Sequence, residues 1–379
     1  MKILIAGDFC PRDRIYKLIE EDSWKEIIDP AILSTIKGAD YSIVNFECPV
    51  AERNAKPISK CGPSLKCTAK GVGFVKEIGF QCVTLANNHF RDFGDEGVSR
   101  TIEVLKKHDM DYVGGGMNIT EATRTLYKEI SGDTLAIINV CENEFSIASN
   151  IKGGSAPLDT IDVFHRIAEA RAISDFVIVI VHGGHEHFQY PSPRMKKLYR
   201  FFVESGADAV INHHQHCYSG TEEYKGKPII YGLGNFCFDH PKKRKGIWNE
   251  GYMVELIMNK GEIHFEVIPY IQCDETPTVD LMKESMKQSF SQKVCTISNI
   301  ISDDQQLQQK YEEMLAKQGT SFLAAYTPYT NEYVQMAAAR HYIPYLISKK
   351  KLAKMLNLIR CESHRDLLIQ SMQKRLEQQ

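Results

Sequence analysis

Asp8, Asn45, Glu47, Asn88, His89, His182, His214 and His216 are carboxylates, amides and imidazoles that each stand just after a short apolar run. Oxygen and nitrogen donors of this kind suit Mn, Zn, Fe or Mg, and not an all-thiolate structural zinc. Asp8 follows residues 3–6, and Asn45 and Glu47 follow 43–44. Asn87, Asn88 and His89 follow 83–86, His182 follows 177–181, and His213, His214 and His216 follow 209–211. A single His after a strand is more often packed than ligating, and a single Asp there often caps the next helix. Five donor clusters at five strand ends are harder to explain in that way.

The elements that must position them follow an α/β pattern, with Ile- and Val-rich runs alternating with segments of helical period. Strands are predicted over 2–6, 41–45, 81–85, 134–140, 176–181 and 209–212. Helices are predicted over 29–37, 69–78, 96–108, 161–173 and 193–205, with Pro30 suited to a first turn and Gly38 to a C-terminal cap. In a parallel α/β sheet the carboxyl ends of the strands lie together, so donors far apart in sequence meet there. Residues 228–271 look different. Strand-like stretches at 229–233, 252–258 and 262–271, with a Gly-containing turn over 259–262, predict mainly antiparallel pairing. The expected architecture is two packed sheets with helices outside. A Rossmann domain fits less well, because no Gly-x-Gly-x-x-Gly follows the first strand.

The chain has 379 residues, 43% hydrophobic and 25% charged, with a formal net charge of −2. That balance gives no whole-chain attraction to nucleic acid. No segment approaches the roughly 20 apolar residues that span a bilayer. Eleven cysteines without a Cys-x-x-Cys pair fit reduced thiols, and the expected location is the cytoplasm. After about Thr276 the composition turns to Gln, Lys, Met and Glu, dividing the chain into domains 1–275 and 276–379. Leu352, Met355, Leu356 and Ile359 share one helical face, continued by Leu367, Leu368 and Met372, beside Lys349, Lys350, Lys351, Lys354, Arg360 and Arg365. That region is either a helical appendage with solvated cations or a basic amphipathic surface for a membrane or protein partner.

The series Gly7-Asp8, Asn45-Phe46-Glu47, residues 85–89 (Leu-Ala-Asn-Asn-His), residues 182–186 (His-Gly-Gly-His-Glu), residues 213–216 (His-His-Gln-His) and residues 232–236 (Gly-Leu-Gly-Asn-Phe) resembles the CapA family. These are capsule (poly-γ-glutamate) synthesis proteins related in fold to calcineurin-like metallophosphoesterases. The match runs over roughly residues 1–271. It implies a four-layer α/β/β/α sandwich with a two-metal centre. Carried over by position, the resemblance makes Asp8 a ligand of the first metal and Glu47 the bridging carboxylate. Asn88 and His182 would bind the second metal, with His214 and His216 completing the two sets. His89 would face the substrate, and Asn45 and Glu186 would be supporting residues. Cys10 departs from the wider fold, which places His there, and Glu47 stands where that fold uses Asp.

Two metals about 3.5–4 Å apart would activate a nucleophile at neutral pH and neutralise charge on a phosphoryl group, with His89 protonating the leaving oxygen. Asp92 either orients that imidazole or starts the following helix. Arg12 and Arg14 either clamp an anionic substrate or are solvated. Asn235 is expected to hydrogen-bond a ligand residue, and Cys61 and Cys67 to be loop structure. The expected activity is hydrolysis of a phosphoester or related small anionic or polymeric substrate. The alternatives are a metal-dependent amide or peptide hydrolase, and a non-catalytic component of a capsule or polymer assembly complex.

Overall fold

The computed structural model describes residues 1–379 except 260, 261, 325, 326, 361, 378 and 379. Two sheets carry the architecture. The first has the order Val279–Leu281, Glu262–Gln272, Glu250–Asn259, Lys2–Phe9, Tyr41–Phe46, Cys82–Thr84, Asp111–Val113. The second runs Thr221–Tyr224, Lys227–Ile230, Ala209–His213, Phe176–His182, Asp133–Cys141, Leu126–Ile130. Lys2–Phe9 pairs parallel with Tyr41–Phe46, and Phe176–His182 lies parallel between its two neighbours. The inner strands Tyr41–Phe46, Phe176–His182 and Ala209–His213 are buried at every residue, which is why apolar side chains occupy both of their faces.

Alternation along the first strand sorts the layers. Ile3 and Ile5 join the core that also holds the second sheet, while Leu4 and Ala6 face Ile15, Ile32, Val72 and Val98 of the helices outside. Val163 and Ile167 of Thr160–Ile173, with Met195, Tyr199 and Phe202 of Pro193–Glu204, cover the second sheet. The result is the four-layer α/β/β/α sandwich. Local signals fit the helix starts: Asp29, Asp159 and Ser192 each accept a backbone N–H from the first turn that follows. Gly38 differs from its expected role, since the helix Pro30–Gly38 ends in an extended Ala39.

The later strands correct one expectation. Glu250–Asn259 and Glu262–Gln272 pair antiparallel, and residues 260 and 261 of the expected turn lie outside the described residues. The expected strand 229–233 is Lys227–Ile230 instead, and it pairs parallel with Ala209–His213 and antiparallel with Thr221–Tyr224. Leu233 leaves that strand to bridge Tyr218.

The chain divides into two compact units, Met1–Gln309 and Lys310–Gln379. The helix Glu284–Ser302, beyond the composition change at Thr276, belongs to the first. It buries Phe290, Val294, Ile297 and Ile301 in the inter-sheet core, and Ser298 Oγ accepts from Thr221 N at 2.8 Å. The second unit contains the helices Glu332–Ala339, Lys349–Arg360 and Glu362–Glu377, and in it Leu352, Leu356 and Ile359 are exposed. Among the described residues no helix is long and apolar enough to cross a membrane.

One crossing point fixes the mouth of the sandwich. The pairing of Lys2–Phe9 with Tyr41–Phe46 shifts register between Ala6 and Asp8. Residues Gly7 and Asp8 there meet the chain at Gly234 and Asn235: Asp8 N donates to Gly234 O at 3.1 Å, and Phe236 N to Asp8 O at 2.7 Å. A Cβ on Gly7 would sit 2.0 Å from Gly234 O, a backbone atom that has no soft side chain to move. Gly7→Ala is therefore expected to destabilise the protein by about 1–3 kcal/mol or more. Thermal unfolding reads this, and an unchanged midpoint would contradict the crossing.

Candidate metal centre

The five strand ends meet between the sheets. Asp8 and Asn45 stand side by side in register, and Glu47 N donates to Phe9 O at 2.9 Å, which turns the Glu47 side chain inward. Asn87 Nδ2 holds Phe46 O at 2.9 Å and Asn87 Oδ1 accepts His89 N at 3.1 Å, setting the Asn88-His89 step. On the other sheet His182 ends its strand, and residues 214–216 turn sharply. His214 and His216 have φ of 91° and 53°, a left-handed backbone that costs of order 1–3 kcal/mol per non-glycine residue. Asp8 Oδ2 compensates in part by accepting His214 N at 3.1 Å.

Two groups of side chains result, each with ligand atoms within 4.8 Å of one another: Glu47, His182 and His214, and Asp8, Glu47 and His216. Glu47 belongs to both. Its Oε1 lies 3.7 Å from His182 Nε2 and 3.5 Å from His216 Nε2. Asn88 Oδ1 and His214 Nδ1 each approach His182 Nε2 at 3.1 Å. Asn45 ties the sheets together, with Nδ2 2.7 Å from Asp8 Oδ1 and 3.2 Å from His182 Nδ1, while its Oδ1 accepts from Thr84. Asn235 Oδ1 meets His216 Nδ1 at 2.9 Å. The eight residues of the sequence analysis thus come together, with His89 at their edge.

Charge makes the fit to cations specific. Glu47 is fully buried, and neither of its carboxylate oxygens has a hydrogen-bond partner among the described residues. Such an orphaned group costs several kcal/mol unless a cation or proton compensates it. Burial and then the charge of Asp8 push the Glu47 carboxyl well above its ordinary range. Burial also pushes Asp8 up, but the contact with His213 and the charges of His182 and His216 outweigh it and hold Asp8 low. Burial, then the charge of His214, keeps His182 well below the usual histidine range, and burial brings His216 down to about 4. Neutral imidazoles beside one ionised and one frustrated carboxyl form a donor set suited to divalent ions.

At the edge, His89 Nδ1 lies 2.7 Å from Asp92 Oδ2, which also accepts Leu65 N at 2.7 Å. Asp92 therefore faces His89, and the helix Gly94–Lys107 begins without a side-chain cap. Glu186 is half-exposed near the imidazoles. Burial pushes its carboxyl up, but the charges of His216, His214 and His187 hold it below its ordinary value. Arg12 is half-buried at the start of Asp13–Glu20. Arg14 is not available as an anion clamp: its guanidinium forks onto Asp239 at 3.0 Å and binds the carbonyls of Asp274 and Glu275 at 2.7 Å. Cys10 is buried beside Cys48, and the ten described cysteines are free thiols.

Two contributors, Lys60 and Lys243, escaped the sequence analysis, and a third, His213, was named there without a role. Lys60 pairs with Asp92 Oδ1 and lies 3.1 Å from His89 Nδ1, with its side chain 4% exposed. His213 Nδ1 sits 3.2 Å from Asp8 Oδ1, off hydrogen-bond geometry. Lys243 reaches His187 Nε2 at 2.9 Å. Lys60 and Lys243 come from loops, where periodicity carries no signal, and His213 is hidden among its histidine neighbours.

Glu47→Gln is expected to lower bound divalent metal sharply while the protein stays folded, as elemental analysis would show. A raised folded-state value for Glu47 means that its share of stability is full below its ordinary 4.5 and is lost as pH rises. Metal-free protein should therefore gain stability from Glu47→Gln at pH 8 relative to pH 4. Equal effects at both pH values would contradict the buried-carboxyl account.

Comparison with known proteins agrees with the resemblance. The sequence model described as "Bacterial capsule synthesis protein PGA_cap" matches residues 2–240. "PGA biosynthesis protein CapA" of Bacillus subtilis is 30% identical over 292 residues, 75% of this chain and 74% of that one. "Capsule biosynthesis protein CapA" of Bacillus anthracis is 34% identical over 212 residues, 54% of this chain and about half (52%) of that one. "Probable polyglutamine synthesis accessory protein Rv0574c" of Mycobacterium tuberculosis is 27% identical over 41% of this chain and 44% of its own length. A solved 5'-nucleotidase precursor from Thermus thermophilus superposes with a TM-score of 0.43 at 13% identity, covering 78% of this chain and 59% of that one. The chain belongs to the PGA_cap family of bacterial capsule synthesis proteins.

Proposed function

We propose that this chain is a metal-dependent hydrolase of a phosphoester or a related anionic substrate, linked to capsule or poly-γ-glutamate metabolism. The observation that carries the reading is Glu47, buried, without a hydrogen-bond partner among the described residues and shared by two candidate ligand groups. Asp8, Glu47 and His216 would hold one divalent ion, and Glu47, Asn88, His182 and His214 a second, drawn from Mn, Fe, Zn or Mg. When bound, such ions supply a nucleophile at neutral pH and offset charge on the group under attack.

The protein's own residues complete the chemistry. Asp92 Oδ2 accepts a hydrogen bond from His89 Nδ1–H, so that the doubly protonated imidazole would present its Nε2 proton to the leaving oxygen. Lys60 neutralises Asp92 and closes the loop before Leu65 over the dyad. Asn45 and Asn235 hold ligand side chains in place, and Arg12 and Glu186 border the substrate side.

The carbonyl of an amide is an alternative electrophile for the same ions, so γ-glutamyl compounds belong in the substrate panel. A second reading is favoured by the relatives named for biosynthesis and by one named an accessory protein: a non-catalytic partner in polymer assembly. It would use the Lys349–Arg360 helix, which carries Lys349, Lys350, Lys351 and Lys354, no acidic residue and exposed Leu352 and Leu356.

For the hydrolase reading, metal-loaded protein should cleave a generic phosphoester or a γ-glutamyl substrate. His89→Ala should lower kcat about 10²–10⁴-fold with metal content unchanged. Full turnover in that variant would remove His89 from the mechanism. Converting the four lysines to Ser in the full chain, followed by pull-down, tests the second reading. Retained partners would argue against a docking role for that helix.

A further inference from the structure

Residues 241–246 form a basic loop beside the metal centre, and its cations are engaged differently. Arg244 pairs with Asp239, and Lys245 with Glu275 at 3.3 Å. Lys242 is exposed. Lys243 is half-buried, and the contacts of its ammonium are a neutral ring nitrogen and an aromatic face. It meets His187 Nε2 at 2.9 Å and stands 3.8 Å from the centroid of Trp248. No carboxylate pairs with it among the described residues. An ammonium has three N–H donors, so one directed at His187 leaves others for a ligand.

The position of Trp248 gives that cation its meaning. The indole is 7% exposed and packs 5.1 Å from the His216 ring, 5.3 Å from Phe238 and 5.5 Å from His240. Its N–H is fixed on Phe238 O at 3.1 Å. Lys243 is therefore held one aromatic ring away from a metal-ligand histidine, on a platform that cannot swing. Burial pushes its ammonium below its ordinary range, while the Glu186 carboxylate pulls the other way. Glu186 lies nearby on His187, at 4.0 Å from Nε2, and is the anion that competes for this cation.

We infer that Lys243, backed by Trp248 and His187, is an oxyanion subsite for a second carboxylate or phosphate of the substrate, distinct from the group attacked at the metal pair. This deepens the proposed hydrolase reading and rests on its anionic substrate. A charge-assisted hydrogen bond to a desolvated ammonium selects substrates that carry two anionic groups a few bonds apart over those that carry one.

The chain has two tryptophans, so a Trp24→Phe background makes Trp248 the reporter. Metal-loaded protein is titrated at constant ionic strength with inorganic phosphate and, separately, with glutarate. The two series distinguish phosphate from carboxylate recognition. A saturable change in Trp248 emission is expected. Lys243→Met should weaken it at least about tenfold, Lys243→Arg should retain it, and Glu186→Gln should tighten it by removing the competing charge. Metal content should match the parent throughout. Parent-like affinity in Lys243→Met, or no saturable response to either anion, would overturn the inference even if phosphoester turnover persists. Lys243-dependent anion binding without any turnover would support the subsite and count against the hydrolase reading.

Discussion

Asp8 and Glu47 reach the same imidazole, with His216 nitrogens 3.6 Å from Asp8 Oδ2 and 3.5 Å from Glu47 Oε1, in a crevice that admits almost no water. Two carboxyl groups that close cannot both ionise in a dry environment without compensation. The surroundings divide them: His213, His182 and His216 favour charge on Asp8, while Glu47 has no hydrogen-bond donor among the described residues. Most of the local architecture follows from that division. The left-handed turn at His214 and His216, the Asn45 link between sheets and the backbone crossing at Gly7 all serve to bring imidazoles and carboxylates together.

The sequence made the strand-end donors legible because buried parallel strands are rich in Val and Ile, and a polar residue after such a run stands out. Asp8, Glu47, His182 and His214 could each be located within a residue or two of a strand end. The layer order was legible for a similar reason, since two kinds of sheet segment separated by helical periods leave few arrangements. The pairing of Lys227–Ile230 was not, because so short a strand carries no mark of parallel or antiparallel neighbours. The helix Glu284–Ser302 lies beyond the composition change yet belongs to the first compact unit. Its surface is rich in Gln, Lys and Ser, yet Phe290, Val294, Ile297 and Ile301 recur at helical spacing and bury in the core.

A division of labour separates strands from loops. Strand ends supply the donors that need fixed positions to within fractions of an ångström. Loops supply the cations at the rim, Lys60 from the segment before Leu65 and Lys243 from the basic loop after His240. Neither lysine has a sequence signature, because a loop lysine is usually solvated, and what sets these two apart is the neighbour each was folded against. The same logic removes Arg14 from the site. Its guanidinium is engaged by Asp239 and by carbonyls at residues 273–275, so it braces the chain just after Glu262–Gln272 against the first helix.

The place of the first strand has a kinetic consequence. Lys2–Phe9 lies in the middle of its sheet, with Ile5 opposite Val254 on one side and Ile43 on the other. Ribosomes add roughly 5–20 residues per second, so Ile5 waits roughly 12–50 s for its partner. During that interval one edge of Lys2–Phe9 stays open, and Asp8 lacks the backbone partners that Gly234 and Phe236 later provide. The cluster of carboxylates and imidazoles around Asp8 thus closes late in synthesis, after the strands of the second sheet have been made.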